Sequence, residues 1–320
     1  MRKIIFYFVF VVVLVFTMPI IFTNQFETKE VSSSKIEKFD YGDYNKIKLQ
    51  HVDNGNIEEL ELDNYLYGVV ASEMPASFEI EALKAQAVVA RTYTIYHMKN
   101  GNKHENADMC DSALCCQAWI SKDNRFARWE EDKRGEYWNK IEKAVNDTKG
   151  KVILYKGEPI NAFFHSNSGG KTELSINVWG GNFPYLQTVE TNGEDAYTSF
   201  KSEVTVSKDE LIQKLFEKYS DFKIDFSKDE IKILEYTESG RVQKIKIGNK
   251  ELTGTDVRNI FGLKSTNFNI NIDGDFIKFF VIGYGHGVGL SQCGSDVLAK
   301  NGKNYIEIIK HYYKDVEVSE

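Results

Sequence analysis

Residues Glu81-Ala-Leu-Lys-Ala-Gln-Ala-Val-Val-Ala-Arg-Thr-Tyr93 predict the helix around which the fold is built. Ser77 can cap its N-terminus, and Glu79 and Glu81 place negative charge in the first turn, where the helix dipole favours it. The helix is expected to end near Lys99. Its alanines have small side chains, so other elements can approach its backbone closely.

Short strands and a second helix precede this central helix. A hairpin is predicted for residues 47–52 and 57–62, which are extended segments on either side of the turn Asn54-Gly55. Asp63 is expected to cap the next helix, which meets the central helix at Glu73-Met74-Pro75.

The rest of the chain continues as a mixture of helices and hairpins. The spacing of its apolar residues, with turn residues between the segments, predicts these elements. The expected helices are residues 138–146, residues 207–219 with a cap at Ser207, and residues 255–261. The expected strands are residues 152–155, 160–165, 231–237 and 242–247. The fold class is therefore α+β, built from helices and short antiparallel strands.

Four regions are expected along the 320 residues. Residues 1–23 form an N-terminal transmembrane anchor, and residues 24–43 form a polar stalk. Residues 44–199 and 279–320 form the main domain, which includes a candidate metal loop at residues 101–117. Residues 200–278 form a small accessory α+β unit.

The anchor is predicted from the apolar run at residues 4–22, which is about long enough to cross a bilayer as a helix. Arg2 and Lys3 favour a cytoplasmic N-terminus, which would place the folded part of the chain outside the cytoplasm. A cleaved signal peptide is the alternative, but no A-x-A-like site follows the run.

The composition also limits the function. Hydrophobic residues make up 42% and charged residues 27% of the chain, as in ordinary globular proteins. The net charge of −7 argues against nucleic acid as a partner, because nucleic-acid grooves are basic.

A candidate metal site lies between His104 and Cys116, a short run that also contains Cys110 and Cys115. Zn²⁺ binds thiolates and imidazoles readily, and four protein ligands with no open position are typical of a structural zinc site. We therefore expect structural Zn²⁺ in this loop. A disulfide from Cys110 to one of the adjacent cysteines is an alternative in an oxidising compartment, and four unrelated side chains are another.

Three further features could belong to a functional site. Glu73 projects from a rigid corner between two helices, although a surface carboxylate at a helix junction would look the same. The glycines around His286 indicate a turn packed against a groove, or simply a tight structural turn. A serine protease that combines Ser166 or Ser168 with His165 or His286 and an aspartate is disfavoured, because no G-x-S-x-G elbow is present.

Four motifs, in order along the chain, resemble the SpoIID/LytB family. They are Tyr65-Leu-Tyr-Gly-Val-Val-Ala-Ser-Glu-Met-Pro75, the central-helix segment quoted above, Ser166-Asn-Ser-Gly-Gly170 and Gly285-His-Gly-Val-Gly-Leu-Ser-Gln292. The similarity extends over about residues 45–315 and includes Tyr305-Ile-Glu-Ile-Ile-Lys-His-Tyr-Tyr313. The resemblance implies a peptidoglycan lytic transglycosylase that cleaves glycan strands lacking stem peptides while the forespore is engulfed in sporulation.

The resemblance also implies roles for individual residues. Glu73 would be the catalytic acid. Clostridial members are expected to hold zinc at the positions of His104, Cys110 and Cys116, with Cys115 here in place of a second histidine. The expected substrate-binding residues are Lys84, Gln86, Arg91, His165, Ser166, Ser168, His286 and Gln292.

Partners and location follow from the same resemblance. It implies a partner amidase, SpoIIP, a membrane protein, SpoIIM, and a place on the mother-cell engulfing membrane, with the folded domain extracytoplasmic. One alternative function is a non-catalytic amidase enhancer that binds glycan and activates a partner. A second alternative makes the metal catalytic, as in a zinc hydrolase.

The transglycosylase reaction needs one carboxyl group, whereas hydrolysis of a glycoside generally needs two. An acid that gives up its proton near neutral pH must have a raised pKa, which requires an apolar, partly desolvated site. Met74, Tyr93 and Trp179 are the expected lining of that site around Glu73.

Overall fold

The computed structural model describes residues 39–40, 42–101, 104–228 and 231–319. The predicted membrane anchor lies outside these residues, and so does most of the predicted stalk. Among the helices in the described part of the chain, none has the length and hydrophobicity needed to cross a bilayer. The described chain mixes helices with short, mostly antiparallel strands, which confirms the predicted α+β class.

The elements are short apart from one long helix. In chain order, the helices are α1 (Leu62–Glu73), α2 (Ile80–Asn100), α3 (Lys122–Phe126), α4 (Arg134–Asp147), α5 (Ser175–Trp179), α6 (Lys208–Lys218), α7 (Gly254–Phe261), α8 (Gln292–Lys300) and α9 (Tyr305–Tyr312). The strands are β1 (Lys46–Gln50), β2 (Ile57–Glu61), β3 (Met109–Cys110), β4 (Ile153–Tyr155), β5 (Glu158–Pro159), β6 (Phe164–His165), β7 (Lys201–Ser207), β8 (Lys232–Tyr236), β9 (Val242–Ile247), β10 (Lys250–Thr253), β11 (Phe268–Asp273), β12 (Phe276–Ile282), β13 (Leu290–Ser291) and β14 (Glu317–Val318).

Helix α2 lies at the centre of the larger hydrophobic core and packs against α1, α4, α8 and α9. Its alanines are buried, as the sequence predicts. The predicted cap at Ser77 is wrong, because the helix begins at Ile80 and its N-cap residue, Glu79, makes no side-chain cap. Instead, the backbone N–H of Glu79 donates to Asp296 Oδ1 at 2.6 Å, so a residue distant in sequence satisfies this helix end.

Helix α1 ends at Glu73 for a local reason. Pro75 disfavours the helical conformation at the residue before it, and Met74 is extended, with φ −120° and ψ 142°. At the other end the predicted cap is wrong: the helix begins at Leu62, and Asp63 lies in its first turn. The Asp63 carboxylate faces the buried guanidinium of Arg91 at 3.2 Å.

Two strand pairings frame the functional region. The predicted hairpin is confirmed as β1 and β2, which pair antiparallel. Strand β6 pairs with β13 in parallel, with Phe164 opposite Leu290 and His165 opposite Ser291. The predicted strand at residues 160–165 is shorter than expected, since only its last two residues are in β6.

A second hydrophobic core forms from residues between Val204 and Val281. It is built from two antiparallel sheets, with strand orders β11-β12-β7 and β10-β9-β8, together with α6 and α7. The hairpin expected at residues 231–247 is confirmed as β8 and β9, and the Ser207 cap of α6 is present. The boundaries proposed for an accessory unit in this region stay a prediction.

Candidate active site around Glu73

Glu73 lies half-buried at the C-terminal end of α1, in a cleft of about 390 Å³. The cleft is enclosed by the end of α1, the short helix α3, the loop after β6 and the start of α8. These elements contribute Met74, Arg125, Ser166 and Gln292 to its walls. The volume is within the range of about 300–1,000 Å³ that is usual for small-molecule sites.

Burial raises the pKa of Glu73 to about 7, although two hydrogen bonds oppose this effect. The backbone N–H of Ala118 donates to Glu73 Oε1 at 2.6 Å. The side chain of Gln292 is the second hydrogen-bonding group. Both bonds stabilise the carboxylate, so desolvation of the charged form is the larger effect. A carboxyl group with this pKa is partly protonated at neutral pH and can donate a proton.

The parallel pairing of β6 and β13 explains why Ser166 and Gln292 reach the same cleft. Each of these residues follows directly after its strand, and parallel strands end at the same edge of a sheet. The backbone N–H of Cys293 donates to the carbonyl of Ser166 at 3.0 Å, which holds the two strand ends together. Two motifs that are distant in sequence therefore meet beside Glu73.

Gln292 is held in place by a contact with the central helix α2. Its side chain is 5% exposed, and its Nε2 lies 3.4 Å from Oε1 of Gln86, which is fully buried in α2. Gln86 therefore contacts the residue that bonds Glu73 and does not itself line the cleft. The predicted substrate-binding role of Gln86 stays a prediction, and its position favours an indirect effect on Glu73.

A buried carboxylate, Glu194, ties the two strand ends together. It is 1% exposed and accepts hydrogen bonds from the hydroxyls of Ser168, Thr191 and Ser291. It also accepts from the backbone N–H of Gly170 at 3.2 Å. Ser168 is fully buried in this network, so its hydroxyl supports the loop that carries Ser166.

Lys84 and Arg91, which the sequence predicts as substrate-binding residues, do not line the Glu73 cleft. Lys84 forms ion pairs with Glu81 at 2.9 Å and Asp147 at 3.2 Å. Arg91 is fully buried and donates to the carbonyls of Thr148 at 2.9 Å and Val145 at 3.3 Å, at the end of α4. In the structure, both cations hold α2 against its neighbours.

His165 and His286 lie side by side, with ring centroids 5.6 Å apart. Burial lowers the pKa of His286 to about 3 and holds the pKa of His165 well below its usual value, so both rings are neutral at pH 7. His165 Nδ1 lies 3.1 Å from the carbonyl of Val288 and His286 Nδ1 accepts from the Val288 N–H at 3.0 Å.

The glycines on either side of Val288 permit close backbone approaches. Gly289 has φ +73°, and a Cβ there would lie 2.0 Å from the carbonyl oxygen of Phe163. Gly287 has φ +84°, and a Cβ there would lie 2.5 Å from the guanidinium of Arg241. The G-H-G-V-G stretch therefore forms a tight turn, which both predicted alternatives require, and the choice between them stays a prediction.

His286 lines a second, larger cavity of about 1120 Å³. Trp179 stacks on Phe163 in its wall, with centroids 4.5 Å apart, and Tyr93 also contributes. Tyr93 and Trp179 were expected next to Glu73, but they line this cavity, whereas Met74 lines the Glu73 cleft.

The predicted metal ligands come together in the structure. One ligand atom from each of His104, Cys110, Cys115 and Cys116 lies within 4.8 Å of the other three. The Sγ atoms of Cys115 and Cys116 are 3.8 Å apart, and His104 Nε2 is 3.3 Å from Cys116 Sγ. All four cysteines of the chain are free thiols in the structure.

This cluster fits a structural zinc ion. Ligands about 2.3 Å from a shared ion in tetrahedral geometry lie about 3.8 Å from one another, close to the observed spacing. Burial raises the pKa of the Cys116 thiol to about 12, so the thiolate needs a nearby cation to form. A set of three thiols and one imidazole suits Zn²⁺ better than a hard cation.

The fourth cysteine, Cys293, lies in the Glu73 cleft, outside the metal cluster. Its Sγ forms a hydrogen bond with Ser199 Oγ at 3.3 Å, in which either atom can be the donor.

Sequence reasoning missed three contributors to the site. Ala118 acts through its backbone, which no residue pattern reveals. Glu194 lies in a polar turn that looks solvent-exposed in the sequence. Arg125 lies in a charged stretch, where an arginine is usually solvated. Only Arg125 has a signal that could have been used, because Phe126 and Trp129 next to it provide aromatic surface for a guanidinium.

Comparisons with known proteins agree on one family. Residues 50–155 match the SpoIID family, described as "Stage II sporulation protein". The stage II sporulation protein D of Bacillus subtilis (strain 168) is 36% identical over 276 residues, which are 86% of this chain and 79% of that protein. The protein of the same name from Bacillus amyloliquefaciens is 34% identical over 277 residues, which are 86% of this chain and 78% of that protein. A B. subtilis protein named "Amidase enhancer" is 29% identical in an alignment 298 positions long, which covers 78% of this chain and 39% of that protein.

Proposed function

The chain belongs to the SpoIID family of stage II sporulation proteins, and on that premise we propose that it is a lytic transglycosylase that cleaves peptidoglycan glycan strands lacking stem peptides. Membership confirms the family resemblance of the four sequence motifs and associates the chain with sporulation. The observation that supports the enzymatic proposal is a single carboxyl group, Glu73, with a pKa of about 7 in a cleft.

The reaction proceeds in two proton transfers at Glu73. The protonated carboxyl gives its proton to the glycosidic oxygen, and the bond from that oxygen to the anomeric carbon of the muramyl residue breaks. The resulting carboxylate then takes the proton of the C6 hydroxyl while O6 bonds to the anomeric carbon. Glu73 ends protonated, the product has a 1,6-anhydro-muramyl end, and no water is consumed.

The neighbours of Glu73 support both halves of this cycle. Desolvation favours the protonated state that starts the reaction. The N–H of Ala118 and the side chain of Gln292 stabilise the carboxylate that exists between the two transfers. Ser166 and Gln292 would orient the sugar, and their position in the lining of the cleft supports this role.

The metal has a structural role in this proposal. His104, Cys110, Cys115 and Cys116 would hold Zn²⁺ and supply no open coordination position for water or substrate. When bound, the ion would crosslink the loop between α2 and α3. Every proton transfer is assigned to Glu73.

Location and partners complete the proposal. The apolar run at residues 4–22 would anchor the chain in the mother-cell engulfing membrane, with the N-terminus in the cytoplasm and the folded domain outside. The partner amidase SpoIIP would remove stem peptides and so produce the strands that this chain cleaves, and SpoIIM would join them at the membrane.

A second candidate function is supported by the relative named amidase enhancer. In that case the cleft would bind glycan, and cleavage would be done by a partner. Incubating the purified full-length chain alone with peptide-free strands and analysing the products by mass spectrometry separates the two. New anhydro-muramyl ends support a transglycosylase, new reducing ends indicate a hydrolase, and an unchanged strand supports the enhancer.

A further inference from the structure

Arg125 shares the cleft with Glu73. It lies in the short helix α3, which packs against α1 and is capped at its start by Ser121, whose Oγ accepts from the Asn124 N–H at 3.3 Å. The cleft therefore presents one carboxyl group that can be neutral and one permanent cation, on separate elements.

The guanidinium of Arg125 is held in a fixed place. Its central carbon lies 4.8 Å from the centroid of the Trp129 ring. Trp129 is itself fixed by Tyr137 of α4, with centroids 5.4 Å apart. Stacking on an aromatic face leaves the edges of a guanidinium free to donate hydrogen bonds in its plane.

Within the described residues, Arg125 has no acidic partner. Its Nε is buried without a hydrogen-bond acceptor, and burial together with the charge of Arg128 lowers its pKa. The two most buried arginines, Arg91 and Arg241, each donate to backbone carbonyls. Arg125 thus carries a partly desolvated charge that an anionic ligand in the cleft would stabilise.

The proposed substrate supplies such an anion. When an amidase hydrolyses the bond between the lactyl group of muramic acid and its stem peptide, the lactyl group is left as a free carboxylate. In a strand that keeps its peptides the same carbonyl is a neutral amide. The two kinds of strand therefore differ in the charge of the lactyl group, which is carried by the muramyl residue whose glycosidic bond is to be cleaved.

We propose that Arg125 binds the lactyl carboxylate of muramic acid through its guanidinium and so selects strands without stem peptides. Planar guanidinium and carboxylate groups form paired, charge-assisted hydrogen bonds, which a neutral amide cannot match. The inference rests on the proposed function for the identity of the substrate, but it concerns binding and can be tested without turnover.

The test compares two ligands on two proteins. One ligand is a short peptide-free glycan fragment, and the other is the same fragment with its lactyl carboxyls converted to methylamides. Dissociation constants are measured with the full-length chain carrying Glu73→Gln, so that neither ligand is consumed, with and without Arg125→Gln. We expect the carboxylate ligand to bind about 10- to 100-fold more tightly than the methylamide, and Arg125→Gln to abolish this preference by weakening only the carboxylate ligand.

The matched control is Arg128→Gln, an exposed arginine three residues away that does not line the cleft. Because its charge reaches Arg125 only through space, Arg128→Gln should weaken the carboxylate ligand far less than Arg125→Gln does and leave the methylamide ligand unchanged. The inference is overturned if the parent protein binds both ligands equally, if Arg125→Gln weakens both by the same factor, or if it weakens neither. Cleavage of peptide-free strands by the wild-type chain is scored separately, so failure of the proposed reaction and failure of carboxylate recognition give different results.

Discussion

The backbone N–H of Ala118 donates to the carboxyl oxygen Oε1 of Glu73 at 2.6 Å, and Ala118 lies two residues after Cys116, a member of the candidate metal cluster. Gln117, between them, is 1% exposed and its Nε2 donates to the hydroxyls of Tyr65 and Thr94, at 2.9 Å each. The loop that carries the candidate metal ligands is therefore fixed to α1 and α2 and continues directly to Glu73, the proposed catalytic acid.

The first prediction concerns the pH dependence of cleavage. In the proposed reaction the protonated form of Glu73 starts cleavage, and the pKa of Glu73 is about 7. The value of kcat/KM should therefore be constant below pH 7 and fall about tenfold per pH unit above it. A profile measured between pH 5.5 and 9 checks this. A rate that stays constant up to pH 9, or that falls from about pH 4.5, would contradict the assignment.

The second prediction concerns stability. The ordinary pKa of a glutamate is 4.5 and that of Glu73 is about 7, so the folded state binds more protons between these values. The free energy of unfolding should then decrease as pH rises from 4.5 to 7 and stay lower above 7. Glu73→Gln removes the free-energy cost of burying a charged carboxylate. It should therefore raise the free energy of unfolding at pH 8 by up to about 3 kcal/mol, at about 1.36 kcal/mol per pKa unit.

Urea unfolding at pH 8 and pH 4.5 measures this effect. The gain from Glu73→Gln should be present at pH 8 and nearly absent at pH 4.5. Glu131→Gln is the control, because Glu131 is exposed, and it should change stability little at either pH. A variant at position 73 that is less stable than wild type at pH 8 would show that the carboxylate is not desolvated.

The third prediction concerns the metal cluster. The purified chain should contain about one zinc ion per molecule, and chelation or His104→Ala should lower the melting temperature. Activity should fall together with stability, because the same loop presents Ala118 to Glu73. If His104→Ala abolished turnover while melting temperature and fold were unchanged, the metal would be catalytic, as in the zinc hydrolase alternative. Metal analysis combined with calorimetry distinguishes these outcomes.

Local patterns in the sequence predicted local structure well. The alanines of α2, the Asn54-Gly55 turn and the Ser207 cap each depend on residues close together in the chain, and each is confirmed. The caps predicted at Ser77 and Asp63 failed because tertiary contacts replaced them. At the start of α2, for example, Asp296 from α8 accepts the hydrogen bond of the helix end.

The contents of the site were harder to predict than the elements. The motifs identified Glu73, Ser166 and Gln292, and the parallel strands β6 and β13 bring the last two together next to the first. The same motifs also contain Arg91 and Ser168, whose side chains are buried in structural networks. A sequence motif does not distinguish a residue that contacts a ligand from one that holds the contacting residue in place. The role of each residue depends on its neighbours in three dimensions, which the motif does not show.

The central claim is that Glu73 donates and then retrieves the proton in a cleavage that uses no water. The most direct test is cleavage of peptide-free glycan strands in ¹⁸O-labelled water by the wild-type chain and by Glu73→Gln, with the products analysed by mass spectrometry. We predict anhydro-muramyl ends without ¹⁸O from the wild-type chain, and at least a 100-fold lower rate from a folded Glu73→Gln variant. Products that carry ¹⁸O at a reducing end, or a Glu73→Gln variant that cleaves at the wild-type rate, would contradict the claim.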